Sequence, residues 1–335
     1  MNLADDIMLK ILHYLMIGVI SCFNFVCAQD AEFSQYFANP LNLNPALAGN
    51  KMCPRITFNY RNQWPSIANG FITYTASYDM YMEKLHGGIG FSFMNDRAGQ
   101  AYRSTAFSGI YNYGLNISSK VEINAAMQVT YQQNTLDWDK LVFADQIDTR
   151  QGVIIPETAE DKPDRLSKGF PDFSTGITVG YDKSMYWGVA VHHLSQPDIS
   201  FYGKSALDIK ITAHWGALFD LQKESSEGNT EHQTSLSPNI LYQQQGKFHQ
   251  LNMGCYLNKY PFTGGVWYRN NFENSDAIIA MLGLSFLDFK IGYSYDYSIS
   301  RLAKVSGGSH ELSLAWQLPR FEKQHKLHQL EVPNF

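Results

Sequence analysis

The residues best suited to metal chemistry are four of the ten histidines, His192, His193, His214 and His249. Imidazole is the commonest metal ligand in proteins. His192 and His193 are adjacent, and adjacent side chains of a strand point to opposite faces, so they cannot both bind one internal ion without a bulge. We therefore expect a structural role for these histidines and predict no metal or other cofactor.

Catalytic motifs offer no alternative. The sequence contains no G-x-S-x-G, H-E-x-x-H or C-x-x-C motif and no glycine-rich phosphate-binding loop. The carboxylates of Asp145, Asp148, Asp161 and Asp164 could bind calcium, but they lack the regular spacing of a calcium-binding loop. Nothing supports an outer-membrane phospholipase-type Ser/His site, and we predict that the protein is not an enzyme.

The strongest structural signal is the strict alternation of residues 121–132, VEINAAMQVTYQ. Valine, isoleucine, methionine and tyrosine occupy alternate positions, and mostly polar residues lie between them. Such alternation indicates a strand with one apolar and one polar face. About ten residues suffice for a tilted strand to cross a bilayer, whereas strands of soluble proteins are usually nearer five or six.

The same alternation recurs along the chain. An even number of such strands is typical of bacterial outer-membrane barrels. We predict an all-β fold, a transmembrane antiparallel β-barrel of about 14 strands, with a soluble all-β sandwich as the alternative. The predicted strands are 55–63, 71–80, 88–94, 105–116, 121–132, 172–181, 186–194, 208–219, 234–242, 248–257, 263–270, 277–286, 289–296 and 310–318.

Composition agrees with this class. The chain has 335 residues, of which 44% are hydrophobic and only 17% charged, and its formal net charge of -5 predicts no nucleic-acid partner. After the N-terminus no run reaches the roughly 18 apolar residues of a membrane helix, which excludes a helical membrane protein.

The N-terminus resembles a secretory signal, with Lys10, an apolar run and small residues before Ala28. We place cleavage after Ala28, with lipoprotein processing at Cys22 as the alternative. Cys53 and Cys255 then remain, and we expect no disulfide between them. The predicted divisions are a signal peptide 1–28, an irregular N-terminal segment 29–53, the barrel 54–318 and a periplasmic tail 319–335.

Connection lengths test the barrel independently, because such barrels have short periplasmic turns and long extracellular loops. From a periplasmic N-terminus, the predicted outer connections include 64–70, 95–104, 134–171, 195–207, 271–276 and 297–309, most of which are long. The inner connections 117–120, 182–185, 258–262 and 287–288 are short. Two connections disagree with this pattern, since the inner connection 221–233 is long and the outer connection 243–247 is short.

Four stretches carry a resemblance to a known family. They are 35–49 (QYFANPLNLNPALAG), 143–148 (FADQID), 188–197 (GVAVHHLSQP) and 292–300 (GYSYDYSIS), the last followed by 307–311 (GGSHE). In these the chain resembles the PorP/SprF outer-membrane proteins of the type IX secretion and gliding-motility machinery of Bacteroidetes. The resemblance implies a non-enzymatic barrel, embedded in outer-membrane lipid, that helps secrete or anchor surface adhesins bearing a C-terminal secretion signal. It also implies contact with the periplasmic ring components of that machine.

Placing these stretches on the predicted topology suggests two functional regions. The first would close the lumen or meet a periplasmic partner, through Tyr36, Asn39, Pro40, Asn44 and Pro45. Outer loops would dock the secreted cargo, through Asp145, Gln146, Asp148, His193, Gln196, Pro197, Tyr295, Asp296, Tyr297 and Ser300.

Charges on the polar faces of the predicted strands keep a second function open. Charged side chains inside a barrel are tolerated where they are hydrated or paired. A passive porin or small-solute transporter would use them to select solutes, and a closed scaffold would use them to bind the lumen together. They are Arg61, Asp79, Glu122, Lys210, Arg269, Lys290, Asp296 and Glu311.

Overall fold

Fourteen antiparallel strands form a closed β-barrel. The computed structural model describes residues 29–51, 53–67, 70–148, 157–182, 184–221, 234–272, 274–301 and 303–319. The chain divides after Asp30, and residues 31–335 form the barrel unit. The strands are β1 (Arg55–Gln63), β2 (Phe71–Met82), β3 (Gly87–Ala98), β4 (Tyr102–Asn116), β5 (Val121–Leu136), β6 (Ser167–Tyr181), β7 (Met185–His192), β8 (Lys210–Ala217), β9 (Ser235–Gln245), β10 (Phe248–Lys259), β11 (Phe262–Asn270), β12 (Ser275–Phe286), β13 (Phe289–Ser298) and β14 (Ser309–Gln317).

Each strand pairs with its neighbours in sequence, and β1 pairs with β14 from Arg55↔Gln317 to Gln63↔Ser309. A two-residue segment, Phe219–Asp220, continues β8 beyond Leu218 and pairs with the same neighbour, β9. Closure satisfies the backbone groups that an open sheet would expose to lipid. The predicted transmembrane barrel class and its strand number are confirmed, and the sandwich is wrong.

The alternation in β5 has the orientation expected in a bilayer. Met127 is 69% exposed on the outside of the barrel, whereas Asn124, three positions earlier, is 5% exposed and faces inward. Val129 and Tyr131 are also exposed. The apolar face of the strand therefore faces lipid, and the polar face lines the interior.

The two ends of the barrel differ in their connections. At one end, which we name the loop end, lie the connections 64–70, 99–101, 137–166, 193–209, 246–247, 271–274 and 299–308. At the other, the turn end, lie 83–86, 117–120, 182–184, 221–234, 260–261 and 287–288, together with the start of β1 and the end of β14. The loop end carries most of the long connections, as the sequence predicts.

Several predicted boundaries are wrong. The predicted outer loop 95–104 is mostly strand, because β3 and β4 remain paired as far as Ala98↔Tyr102 and leave only a tight turn. The predicted connection 243–247 shrinks to Gly246 and Lys247, and Gly246 has the positive φ of 56° that such a short turn requires. The lengths of these connections were overestimated because polar residues near the ends of strands resemble loop sequence.

Four predicted regions lie wholly or partly outside the described residues. They are the signal peptide 1–28, most of the tail 319–335, most of the connection 221–233 and part of the long loop at 149–156. Cys53 and Cys255 form no disulfide. Among the described residues, no helix has the length and apolar character needed to cross a membrane; the two α-helices, α1 (Pro40–Leu43) and α2 (Ala303–Ser306), have one turn each.

Candidate functional site in the barrel lumen

Residues 33–50, which we call the lumen segment, are almost entirely buried inside the barrel. Two Asn-Pro pairs determine its local shape. Pro40 begins α1, where proline's missing N–H is not needed, and Pro45 begins a 3-10 turn (Pro45–Leu47) in the same way. Asn44 is extended, with φ -157°, and its side chain accepts a hydrogen bond from the amide of Ala46, 2.9 Å away. The result is a compact series of turns rather than a fifteenth strand.

Aromatic packing holds the middle of the lumen segment against one side of the barrel wall. The ring of Phe37 lies 6.1 Å from those of Tyr186 in β7 and Tyr256 in β10, both edge to face. Tyr36 meets Trp267 of β11 edge to face at 5.5 Å. Edge-to-face pairs at this spacing are favourable beyond their buried area. Inward positions of these strands thus hold large rings where a water-filled channel would have polar side chains.

A buried charge network lies at the loop end of the segment. Asp296 accepts hydrogen bonds from Arg61 at 2.9 Å and from Arg269 at 3.0 Å. Glu311 accepts from Arg61 at 3.0 Å and from the amide of Ser34 at 2.7 Å. The hydroxyl of Ser34 donates to Asp296 at 2.6 Å. Two guanidinium groups thus face two buried carboxylates, and the partly exposed carboxylate of Asp276 also lies 3.7 Å from Arg269. Ser34 connects the lumen segment to this network.

Amide side chains fix the remainder of the segment to strands β2, β6, β7 and β8. Asn39 donates to the hydroxyl of Thr75 in β2 at 3.2 Å. Asn44 donates to the carbonyl oxygens of Ile177 and Val189, and its Nδ2 lies 3.2 Å from Nε2 of His214. Both asparagines are therefore used inside the barrel, where a partner outside it has no access to them.

At the turn end the lumen segment leaves the barrel interior beside β2 and β3. The amide of Gly49 donates to Asp79 at 2.8 Å, and Asp79 also forms an ion pair with Arg55 at 2.9 Å. Gly88 must be glycine, because a Cβ there would lie 2.0 Å from the carbonyl oxygen of Ala48. The glycine-rich start of β3 thus allows the segment to pass close to the wall.

The contacts give the direction in which the segment crosses the lumen. Glu32, just before it, pairs at 2.8 Å with Lys210, the first residue of β8 at the loop end. Asn50 accepts a hydrogen bond from Arg55, the first residue of β1 at the turn end. The chain therefore runs through the barrel from the loop end to the turn end before it enters the wall as β1.

The sequence was compared with known proteins. The family model described as "Type IX secretion system membrane protein PorP/SprF" matches residues 26–316. The chain belongs to this family. Its members are membrane proteins of type IX secretion, and in this PorP/SprF chain the match covers the lumen segment and all strands except the last residue of β14.

Solved structures similar to this PorP/SprF chain are outer-membrane barrels. Omp33 of Acinetobacter baumannii is 7% identical, with 80% of this chain and 98% of that chain covered and a TM-score of 0.46. A Pseudomonas aeruginosa FadL homologue is 11% identical, with coverage of 79% and 90% and a TM-score of 0.40. The KdgM porin is 6% identical, with coverage of 79% and 99% and a TM-score of 0.38. No curated protein matches the sequence.

The predicted outer-loop residues of this PorP/SprF chain are divided between loop and wall. Tyr295, Asp296 and Tyr297 do not lie in an outer loop, because β13 continues to Ser298. Asp296 faces the lumen, where it is 1% exposed, and Tyr297 is exposed on the outside. Ser300 follows the strand in the loop 299–308. The predicted loop position is wrong for Tyr295 and Asp296, which already belong to the predicted strand 289–296, and for Tyr297, because the strand extends two residues beyond its predicted end.

Asp145, Gln146 and Asp148 do lie in the long loop 137–166. Asp145 accepts hydrogen bonds from the amide of Ala159 and the hydroxyl of Thr158, and these lower the pKa of its carboxyl group. Gln146 is buried, and its side chain accepts from the amide of Phe143 at 2.9 Å. These side chains fold the loop on itself.

His193, Gln196 and Pro197 lie at the start of the loop 193–209. His193 Nδ1 is 2.7 Å from Asp172, and Ser195 donates to the other oxygen of the same carboxylate at 2.6 Å. The carboxylate lies between the serine and the imidazole, so the histidine cannot activate the hydroxyl as it does in a catalytic triad. In the described part of the chain, no three His, Cys, Asp or Glu side chains lie close enough to hold one metal ion.

The loop 193–209 carries a pH-sensitive ion pair. Asp198 accepts a hydrogen bond from the ammonium group of Lys168 at 2.8 Å and two more from the amides of Ser205 and Ser200. Together they lower the pKa of Asp198 from 3.8 to about 2. A carboxylate whose pKa is lowered in the folded protein stabilises the loop fully when the pH is above its ordinary pKa. This contribution is lost as the pH falls toward the lowered pKa.

We therefore expect the amide of Ser205 to lose protection from hydrogen exchange between about pH 4 and pH 2. Asp198→Asn should show the lower protection already at pH 5 and no further change across this range. The matched control is Asp139→Asn, whose partner Lys162 is 3.8 Å away in the same group of loops. A similar acid transition in the Asp198→Asn protein would contradict this assignment.

The sequence reading missed Ser34, Gln35 and Trp267, which carry much of the contact with the lumen segment. Gln35 donates to Ser294 and to the carbonyl oxygen of Glu311, and accepts from Ser313. The alternation of the strand could have identified Trp267, because it occupies an inward-facing position of β11 between Val266 and Tyr268. A large ring at an inward position needs something apolar inside the barrel to pack against.

Proposed function

We propose that this PorP/SprF chain is a non-enzymatic outer-membrane component that assists the export or surface anchoring of adhesin-type cargo. In this proposal its lumen is closed by its own lumen segment, and solutes do not pass through it. The observation that carries the proposal is the burial of that segment across the whole barrel interior. A barrel filled in this way acts through its surfaces.

The charges inside the barrel favour a scaffold over a passive porin. A porin selects solutes with charges that face a water-filled path. Here Arg61, Arg269, Asp296 and Glu311 are each 6% exposed or less and are paired with one another. Asp79 and Arg55 are likewise paired and buried. These side chains bind the lumen segment and the wall together.

The two ends of the barrel are suited to different partners. We assign the loop end to the cell exterior, where the connections 137–166, 193–209 and 299–308 provide the area to dock a secreted adhesin with a C-terminal secretion signal. Asp145 and Gln196 are exposed there. The turn end, where all connections except 221–234 are short, faces the periplasm and meets the ring components of the secretion machine.

The test is deletion of the gene, followed by mass spectrometry of surface and periplasmic proteins. We expect one or a few large adhesins to leave the surface, while other secreted proteins remain. Re-expression of the unaltered chain should restore the adhesins, and re-expression of a Gln196→Ala, Asp145→Ala variant should restore them only in part. Unchanged surface proteins after deletion would contradict the proposal, and a small-solute uptake defect would favour the porin.

A further inference from the structure

The lipid-facing surface of β1 to β4 changes character near the loop end. An aromatic band covers the outside of these strands. It consists of Phe58, Phe93 and Phe107, with Tyr60 and Tyr74 in the next row toward the loop end. Aromatic side chains of this kind mark the boundary between the hydrocarbon core and the lipid headgroups. The next outward-facing residues toward the loop end therefore lie at the level of the headgroups.

That next row contains two directly opposed arginines. Strand register places Asn62 beside Ile72, Ile72 beside Arg97, and Arg97 beside Arg103. Like charges at directly opposite positions of an antiparallel pair repel each other. Within the described residues, the side chains of Arg97 and Arg103 form no ion pair and no hydrogen bond. The two guanidinium groups thus have no carboxylate to offset their repulsion.

A recess of about 490 Å³ opens beside Arg97 on the same face. Apolar side chains of Ile67 and Ile72 line it, and a third cation, Lys140, reaches it from the long loop. Lys140 is paired with Asp137 at 2.7 Å. The recess therefore combines an apolar floor with an excess of positive charge.

We propose that Arg97 and Arg103, with Lys140, form a binding site for the phosphorylated headgroup of an outer-membrane glycolipid. A phosphate between the two guanidinium groups would accept hydrogen bonds from both and remove their repulsion. The acyl chains of the same lipid would lie along the aromatic band below, and the apolar floor of the recess would take the sugar-proximal carbons. A lipid fits better than a soluble anion, because the site lies directly above the hydrocarbon-facing surface.

The experiment measures binding of diphosphorylated lipid A to the purified mature chain by native mass spectrometry. The test variant is Arg97→Gln, Arg103→Gln, and the control variant Lys84→Gln, Lys259→Gln removes two exposed cations at the turn end. Each basic residue near a charged membrane surface is worth about 1 kcal/mol, so losing two at the site should weaken binding about 30-fold. The control variant should bind as the unaltered chain does.

Further arms separate the possible ligands. Dephosphorylated lipid A should bind the unaltered chain as weakly as diphosphorylated lipid A binds the test variant, and inorganic phosphate alone should leave no adduct. Three results would each overturn the proposal. The test and control variants would bind diphosphorylated lipid A equally, or the unaltered chain would bind the dephosphorylated and diphosphorylated lipids equally. In the third, inorganic phosphate would form an adduct with the unaltered chain that the test variant lacks. Heat-dependent gel mobility verifies that each variant is a folded barrel, and both substitutions lie on exposed or half-exposed side chains that leave the lumen contacts intact.

Discussion

Deletion of residues 33–47 is expected to change the barrel from electrically silent to steadily conducting in a planar bilayer. The deletion removes Ser34, Gln35 and Phe37 and with them the contacts to the charge network and the aromatic rings. A barrel of this strand number is close to the size at which an unfilled interior admits water. Ion steps that are absent for the unaltered chain should therefore appear in the deletion variant.

Two further variants make this measurement decisive. Deletion of residues 320–335, which lie after the last strand, removes a comparable length and should leave the barrel silent. Replacement of residues 33–47 by a glycine-serine linker of equal length keeps the chain long enough for folding and should give flickering conductance. Steady channels in the unaltered chain would contradict closure by the lumen segment. Silence of both the deletion variant and the linker variant of residues 33–47, when both fold, would contradict it as well.

Asp296→Asn should lower the free energy of unfolding by about 3–5 kcal/mol. Asp296 is 1% exposed and accepts hydrogen bonds from Arg61 and Arg269 through one oxygen atom. Its replacement by a neutral amide leaves two buried guanidinium groups with only one fully buried carboxylate, that of Glu311, and with the partly exposed carboxylate of Asp276, which is 3.7 Å from Arg269. The loss is measured by urea unfolding of the barrel in lipid vesicles.

The matched control is Asp182→Asn, which removes an exposed carboxylate 3.6 Å from Lys120. Exposed pairs of this kind contribute about 1 kcal/mol or less. The double variant Asp296→Leu, Arg269→Met should be less destabilised than Asp296→Asn, because it replaces one buried charge of each sign with an apolar group. Equal losses in Asp296→Asn and Asp182→Asn would show that the network is hydrated and not buried.

Much of the wall could be predicted from alternation alone. In β5 the polar positions face inward and the apolar positions face lipid, and period two specifies this orientation without knowledge of the neighbours. Strand ends were less predictable, since Tyr297 and Ser298 continue β13 beyond the predicted end of the strand at residue 296. Pairing with β12 extends the strand, and that pairing depends on a segment outside the strand itself.

The contents of the lumen were beyond sequence reasoning for a different reason. The pattern identified Arg61, Arg269, Asp296 and Glu311 as inward charges, but they come from four different strands and meet only when the barrel closes. Ser34, which joins them, lies 235 positions before Arg269. The Asn-Pro pairs predicted an irregular segment correctly, but they do not indicate which wall residues it contacts.

The path of the lumen segment has a consequence for the order of assembly. Its two ends leave the barrel at opposite openings, and β1, to which it is joined, forms the seam with β14. Both seam strands contact Ser34 or Gln35 through Arg61, Glu311 and Ser313. The first residues of the barrel unit must therefore be in position before the seam closes, so that the strands are wound around their own N-terminal segment, which serves as an internal template.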